Sequence, residues 1–353
     1  PWTGVRPAVF YGNTAPQDVY SRASTSYDMF VDHWNYDEIS ENCLCLNIWT
    51  QGIADGKKRP VVVWLHGGGF TRGNGIEQDG YNGENITRYG DIRYCSINHR
   101  LGVFGFTALS AFGEKYKDSG NAGLLDMVAA IRWIHDNIAN FGGDPDNVTV
   151  IGQSGGGAKV CLLAAMPEMR GLIHKGVALS GSTIRANKPE YSRLLGEYIL
   201  REAGLSATEV DKLQDMPWRD YMELAYRASA RMEREEGASG MVRGNFGPIG
   251  DGVHLPQEKF FRSSSSLDIP MIFCTTFHEW GVNRADSTQE MITAAQAIER
   301  LSEHYGEKAK DIYNAYSRNF PEAKPIEVLI LVHSNRLSVI EAATAKKQQN
   351  APV

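Results

Sequence analysis

Short apolar runs closed by Gly, Pro or polar residues recur along the chain: "RPVVVWLH" (59–66), "IRYCSIN" (92–98), "NVTVIG" (147–152), "KGVALSG" (175–181) and "IPMIFCTT" (269–276). Runs of this length and composition predict strands buried on both faces, as in a parallel sheet. "ENCLCLNIW" (41–49) predicts another strand, in which alternation with leucines puts Cys43 and Cys45 on one face. Helical periods lie between the strands. The clearest is "GLLDMVAAIRWIHDNIANF" (123–141), with Leu124, Val128, Ile131, Ile134 and Ile138 near a 3.6-residue repeat. Residues 189–235 are charged and amphipathic, and read as a helical excursion spanning about 185–265; "RSSSS" (262–266) reads as a loop. Strands alternating with helices predict one α/β domain over 1–353, with a mainly parallel central sheet and helices on both faces.

Composition narrows the function classes. With 42% hydrophobic and 22% charged residues in 353, a substantial core is expected. The formal charge of −6, with basic residues scattered, argues against nucleic acid or an anionic membrane surface as partner. No apolar run is long enough to cross a bilayer. Five cysteines are too few for a disulfide scaffold, and Cys43/Cys45 lack a second closely spaced ligand pair for zinc, so no metal is expected. Pro1 opens the chain without a charged-then-apolar leader, which leaves the compartment open, and nothing fixes the oligomeric state.

The chemistry is concentrated in glycines. "VIGQSGGGAK" (150–159) sets Ser154 between Gly152 and Gly156, where a strand runs into a segment that can be helical. This is the G-x-S-x-G nucleophile elbow, in which the two glycines let strand and helix nearly touch. Alone the motif is modest, since a glycine-rich turn can be structural. "WLHGGGF" (64–70) strengthens it, because His66-Gly67-Gly68-Gly69 after a strand has the form of an oxyanion loop. The N–H groups of Gly68 and Gly69, joined by that of Gly155, are expected to receive the negative charge that acyl transfer places on a carbonyl oxygen. A dinucleotide-binding loop is the rival reading, but its G-x-G-x-x-G spacing is missing.

These pieces resemble the type-B carboxylesterase family, the α/β-hydrolases that include cholinesterases, and the resemblance spans nearly the whole chain. "SENCLCLNIW", "NHRLGVFGF", the long block ending in "VIGQSGGG", and "GPIGDGVHLP" are each similar to a family signature. The resemblance implies an α/β-hydrolase fold and a carboxylic ester substrate, with no cofactor. It also marks departures. Gly155 stands where alanine is usual, Gln153 where glutamate is common, and Ala15 where a cysteine would partner Cys43, so that disulfide is expected to be missing.

The catalytic order is Ser, then Asp or Glu, then His. "IPMIFCTTFHEWG" offers Glu279 as the acid; it resembles the family's G-x-x-x-x-E-G, with Cys274 for the first glycine and Trp280 inserted before Gly281. Asp251 reads as a turn residue. Among nine histidines only His304 and His333 follow Glu279, and neither lies in a loop that presents a base: His304 reads as part of a charged helix, "AIERLSEHYGEKAKD", and His333 lies in "LVHSNRLSVIEAA", which resembles a single helix of the family; His66 and His278 read as shaping loops. The catalytic histidine is therefore expected not to be present in this chain. The resemblance likewise implies that a small N-terminal sheet and a C-terminal His-bearing segment lie outside it.

The reading is ester hydrolysis through an acyl-enzyme on Ser154, oriented by Glu279. The alternatives are a non-catalytic cholinesterase-like binding protein or an inactive fragment. Trp34 lies roughly where cholinesterases place a cation-binding tryptophan, a weak pointer to choline esters.

Overall fold

The computed structural model describes residues 4, 7–19, 35, 38–236, 246–262, 266–277, 279, 287–333 and 336–353. The sheet is built from β1 (Leu46–Trp49), β2 (Arg59–Leu65), β3 (Arg93–Ile97), β4 (Gly143–Gln153), β5 (Lys175–Leu179) and β6 (Met271–Cys274). Its order is β1-β3-β2-β4-β5-β6, with β1 antiparallel to β3 and the remaining pairs parallel. The helices are α1 (Glu84–Gly90), α2 (Gly102–Phe106), α3 (Ala122–Asn137), α4 (Gly155–Ala165), α5 (Pro189–Ala203), α6 (Trp218–Glu236), α7 (Ala294–Tyr305), α8 (Ala309–Asn319), α9 (Pro325–Val332) and α10 (Arg336–Lys346).

The five continuous apolar runs are the five strands of the parallel part. Val61, Val63, Leu65, Val148 and Val150 are fully or almost fully buried between the sheet and its helices. α3 turns Leu124, Met127, Ile131 and Ile134 inward, with none of their surface exposed. Each such side chain contributes about 1.5–3 kcal/mol on burial. α5 and α6 pack on each other between β5 and β6 in sequence, and α7, α8 and α9 enclose a smaller apolar cluster around Leu301 and Val328.

Two expectations need correction. The strand in "ENCLCLNIW" begins only at Leu46, so Cys43 and Cys45 precede it; Cys45 still accepts the Asn98 N–H (2.9 Å) through its carbonyl. Cys43 is a free thiol buried with Ala15 and Leu101, and burial pushes its pKa up to about 12. "LVHSNRLSVIEAA" is not one helix, because α9 ends at Val332 with His333 as its C-terminal cap and α10 begins at Arg336. Of the expected loop at 262–266, residues 263–265 lie outside the described residues.

Candidate active site

β4 ends at Gln153 and α4 starts at Gly155, which leaves Ser154 to make the whole turn, with φ 56° and ψ −123°. A non-glycine residue there costs about 1–3 kcal/mol and persists only where its surroundings determine it. They do so here: the Ser154 N–H donates to the Leu179 carbonyl (2.8 Å), and the Ser154 carbonyl accepts from Ala158 N–H (3.1 Å). The flanking glycines make the approach possible. A Cβ on Gly152 would fall 2.5 Å from the Gly156 carbonyl carbon, and one on Gly156 would fall 2.0 Å from the Leu65 carbonyl oxygen. The half-buried Ser154 thus sits at the N-terminus of α4, where unpaired N–H groups and the helix dipole favour negative charge.

The Gly67–Gly69 loop, which follows β2, lies directly against this turn. Gly68 and Gly69 have φ of 80° and 64°, the left-handed region that glycine occupies without strain. A Cβ on Gly67 would come 3.7 Å from Ser154 Cβ, and one on Gly155 would come 2.4 Å from both Cα and the carbonyl oxygen of Gly69. A Cβ on Gly69 itself would meet nothing within 4 Å, so that position faces open space. His66 is buried, donates from Nδ1 to the Gly67 carbonyl (2.8 Å) and stacks on His99 at 5.0 Å. It shapes the loop.

Glu279 follows β6, which lies two strands from β4 in the same sheet, beyond the same end of the strands as Ser154. Its half-buried carboxylate accepts the Thr275 hydroxyl and the Thr276 N–H (2.8 Å). Asp251 plays a different part. One of its oxygens accepts the N–H groups of Val253 (2.9 Å), His254 (2.8 Å) and Leu255 (3.0 Å), and the other accepts Asn121 Nδ2 (2.8 Å). It stabilises its own turn.

His304 and His333 face each other edge-on at 5.5 Å beside the α7–α9 cluster. Among the described residues, the Ser154 hydroxyl hydrogen-bonds to no imidazole. Trp34, His278, Trp280 and Gly281 lie outside the described residues.

Sequence reasoning missed two neighbours of the site. Gly181, just beyond β5, lies so close to Ser154 that no side chain fits there. Lys159 in α4 is fully buried and donates to the His66 carbonyl (2.9 Å). Each left a signal: a glycine shortly past a strand end, and a lysine inside "AKVCLLAAM", an otherwise apolar helical run.

The chain matches the profile of the carboxylesterase family over residues 1–342. It is 34% identical over 318 residues to the para-nitrobenzyl esterase of Bacillus subtilis (strain 168), an alignment covering 88% of this chain and 61% of that protein. It is 33% identical over 318 residues to the phenmedipham hydrolase of Pseudarthrobacter oxydans, covering 90% of this chain and 60% of that one. The chain therefore spans about three-fifths of the length of these two relatives. A solved esterase from Clostridium hathewayi, described as able to hydrolyze aliphatic aromatic polyesters, superposes with a TM-score of 0.80 at 33% identity, covering 99% of this chain and 70% of that one. With an elbow serine and a glycine loop in contact on a mainly parallel sheet, and with a family profile matched along nearly its full length, the chain belongs to the carboxylesterase family.

Proposed function

We propose that the protein hydrolyses carboxylic esters, with Ser154 as nucleophile. Ser154 Oγ attacks the acyl carbon while a base takes its proton; the base returns that proton to the departing alcohol, and water then cleaves the acyl-enzyme by the same route. The N–H groups of Gly68, Gly69 and Gly155 hold the oxyanion, and Glu279 orients the base. No step in this sequence calls for a metal or an organic cofactor.

The single observation that carries this reading is the packing of Gly69 on Gly155, beside a serine held at φ 56°. That contact supports a hole in which main-chain N–H groups from two elements would surround a carbonyl oxygen during attack. The described histidines have other surroundings. His66 and His99 are buried in a stack, His135 lies beside the Asp136 carboxylate (3.1 Å), His174 accepts from Val148 N–H (3.2 Å), His254 lies between Glu168 and Asp118, and His304 faces His333.

Gly69→Val tests the hole. Its side chain would be strained by the positive φ and would project into the open space beside the loop. In the full natural chain, kcat for short p-nitrophenyl esters should fall on the order of 10²–10³-fold, the usual effect of losing one oxyanion donor. A rise in KM alone would mean that the loop binds substrate without stabilising charge.

A further inference from the structure

Lys159 lies one turn into α4, and none of its surface reaches solvent. Its Nζ donates to the His66 carbonyl at 2.9 Å and lies 5.9 Å from the centroid of the Phe70 ring. One cation therefore meets the chain immediately before Gly67 and immediately after Gly69. The helix that carries it is the helix that begins at Gly155.

We propose that Lys159 is a positioning residue for the oxyanion hole: its ammonium group clamps the Gly67–Gly69 loop onto the nucleophile helix and so fixes the two sets of N–H donors relative to each other. This rests on the reading of Ser154, Gly68, Gly69 and Gly155 given above.

A space-filling role does not account for a charge at this position. A buried ammonium is costly unless it is paired, and methionine would fill similar volume without that cost. Burial pulls the Lys159 pKa down to about 7 against the opposing pull of Glu77. The other titratable groups around it are His66 and His99, and the His99 pKa is lowered well below its usual value by burial and by the Lys159 charge. What the lysine supplies is a strong donor to one carbonyl and a cation over one ring, on either side of three glycines. Within the loop the Gly67 carbonyl accepts from His66 Nδ1 (2.8 Å) and the Gly68 carbonyl from Arg72 N–H (3.2 Å), and Lys159 adds the tie from the loop to α4.

The test compares Lys159→Met and Lys159→Gln with wild type in the full natural chain, reading kcat, KM, thermal melting and the rate of fluorophosphonate labelling. Methionine keeps the volume and removes the donor; the glutamine amide stops one bond short of the carbonyl. The clamp predicts folded variants whose kcat and labelling rate both fall about 10–100-fold, the effect of a misplacement near 1 Å, with KM within twofold. Lys159→Gln carries the test if Lys159→Met does not fold. A folded variant with unchanged kcat, or with only KM altered, overturns the proposal, and so does loss of folding in both, which would make Lys159 a residue of the fold. The underlying reading fails separately: if Ser154→Ala is still labelled, Ser154 is not the nucleophile, whatever the Lys159 variants do.

Discussion

Gly181 and Ser154 are packed backbone to backbone: a Cβ on Gly181 would lie 1.7 Å from the Ser154 carbonyl oxygen and 2.4 Å from its carbonyl carbon. The chain reaches this contact by leaving β5 through Ser180, itself at φ 51°, whose N–H donates to the Cys274 carbonyl (2.8 Å). The elbow is thus braced from the β5 side as well as by its own glycines. Gly181→Ala should push Ser154 out of position. Expected outcomes are a destabilisation of about 1–3 kcal/mol by urea titration, the usual range for overpacking, and a kcat at least roughly tenfold lower. Wild-type melting and turnover would show that the elbow yields freely.

Gly155→Ala probes the facing contact. The resemblance makes alanine the usual residue here, yet in this chain the added methyl would fall 2.4 Å from Gly69. The Gly67–Gly69 loop therefore occupies space that a methyl would need. The substitution should displace the loop and lower kcat about 10–100-fold with little change in KM. Full activity would mean that the loop can retreat at no cost to the hole.

Two acidic residues can be separated by kinetics. Glu279→Gln removes the charge proposed to orient the base, and should lower kcat by about 10³–10⁴-fold with the fold intact. Asp251→Ala strips three backbone N–H groups and one side-chain amide of their acceptor. It should lower stability by about 1–3 kcal/mol and leave the turnover of folded molecules near wild type. The reverse pattern, measured by active-site titration and thermal melting, would exchange the two roles.

His254 supplies a pH test. Burial favours its neutral form, but the Glu168 carboxylate at Nδ1 and the Asp118 carboxylate at Nε2 outweigh it and raise the pKa. A raised folded-state pKa means that the stabilisation is complete below the unfolded value near 6.5, and is lost as pH rises through the folded value. The stability gap between wild type and His254→Leu, measured in urea, should be wider at pH 6 than at pH 9. A gap that widens with rising pH would contradict the ion-pair geometry.

Much of the fold is legible in the sequence because parallel strands are buried on both faces and leave continuous apolar runs. β2 to β6 fall inside or close to the runs read for them, and α3 covers most of the segment whose 3.6-residue period marks it. β1 starts later than its pattern, since Cys43 is buried by Ala15 and Leu101 without belonging to the ladder. Ser154 and the glycine loop are visible because their geometry tolerates so few residue types. Gly181 and Lys159 show only as a glycine past a strand end and a lysine in an apolar run, because each acts through a contact far along the chain, Gly181 with Ser154 and Lys159 with His66, and no local spacing encodes such a meeting.

If Ser154 is the nucleophile of an ester hydrolase, a fluorophosphonate should label the full natural chain covalently at that residue. The adduct should map by mass spectrometry to the peptide containing Ser154. Ser154→Ala should abolish both the labelling and the turnover of short p-nitrophenyl esters, while leaving the melting temperature close to that of wild type. Undiminished labelling and turnover in Ser154→Ala would place the nucleophile on another residue.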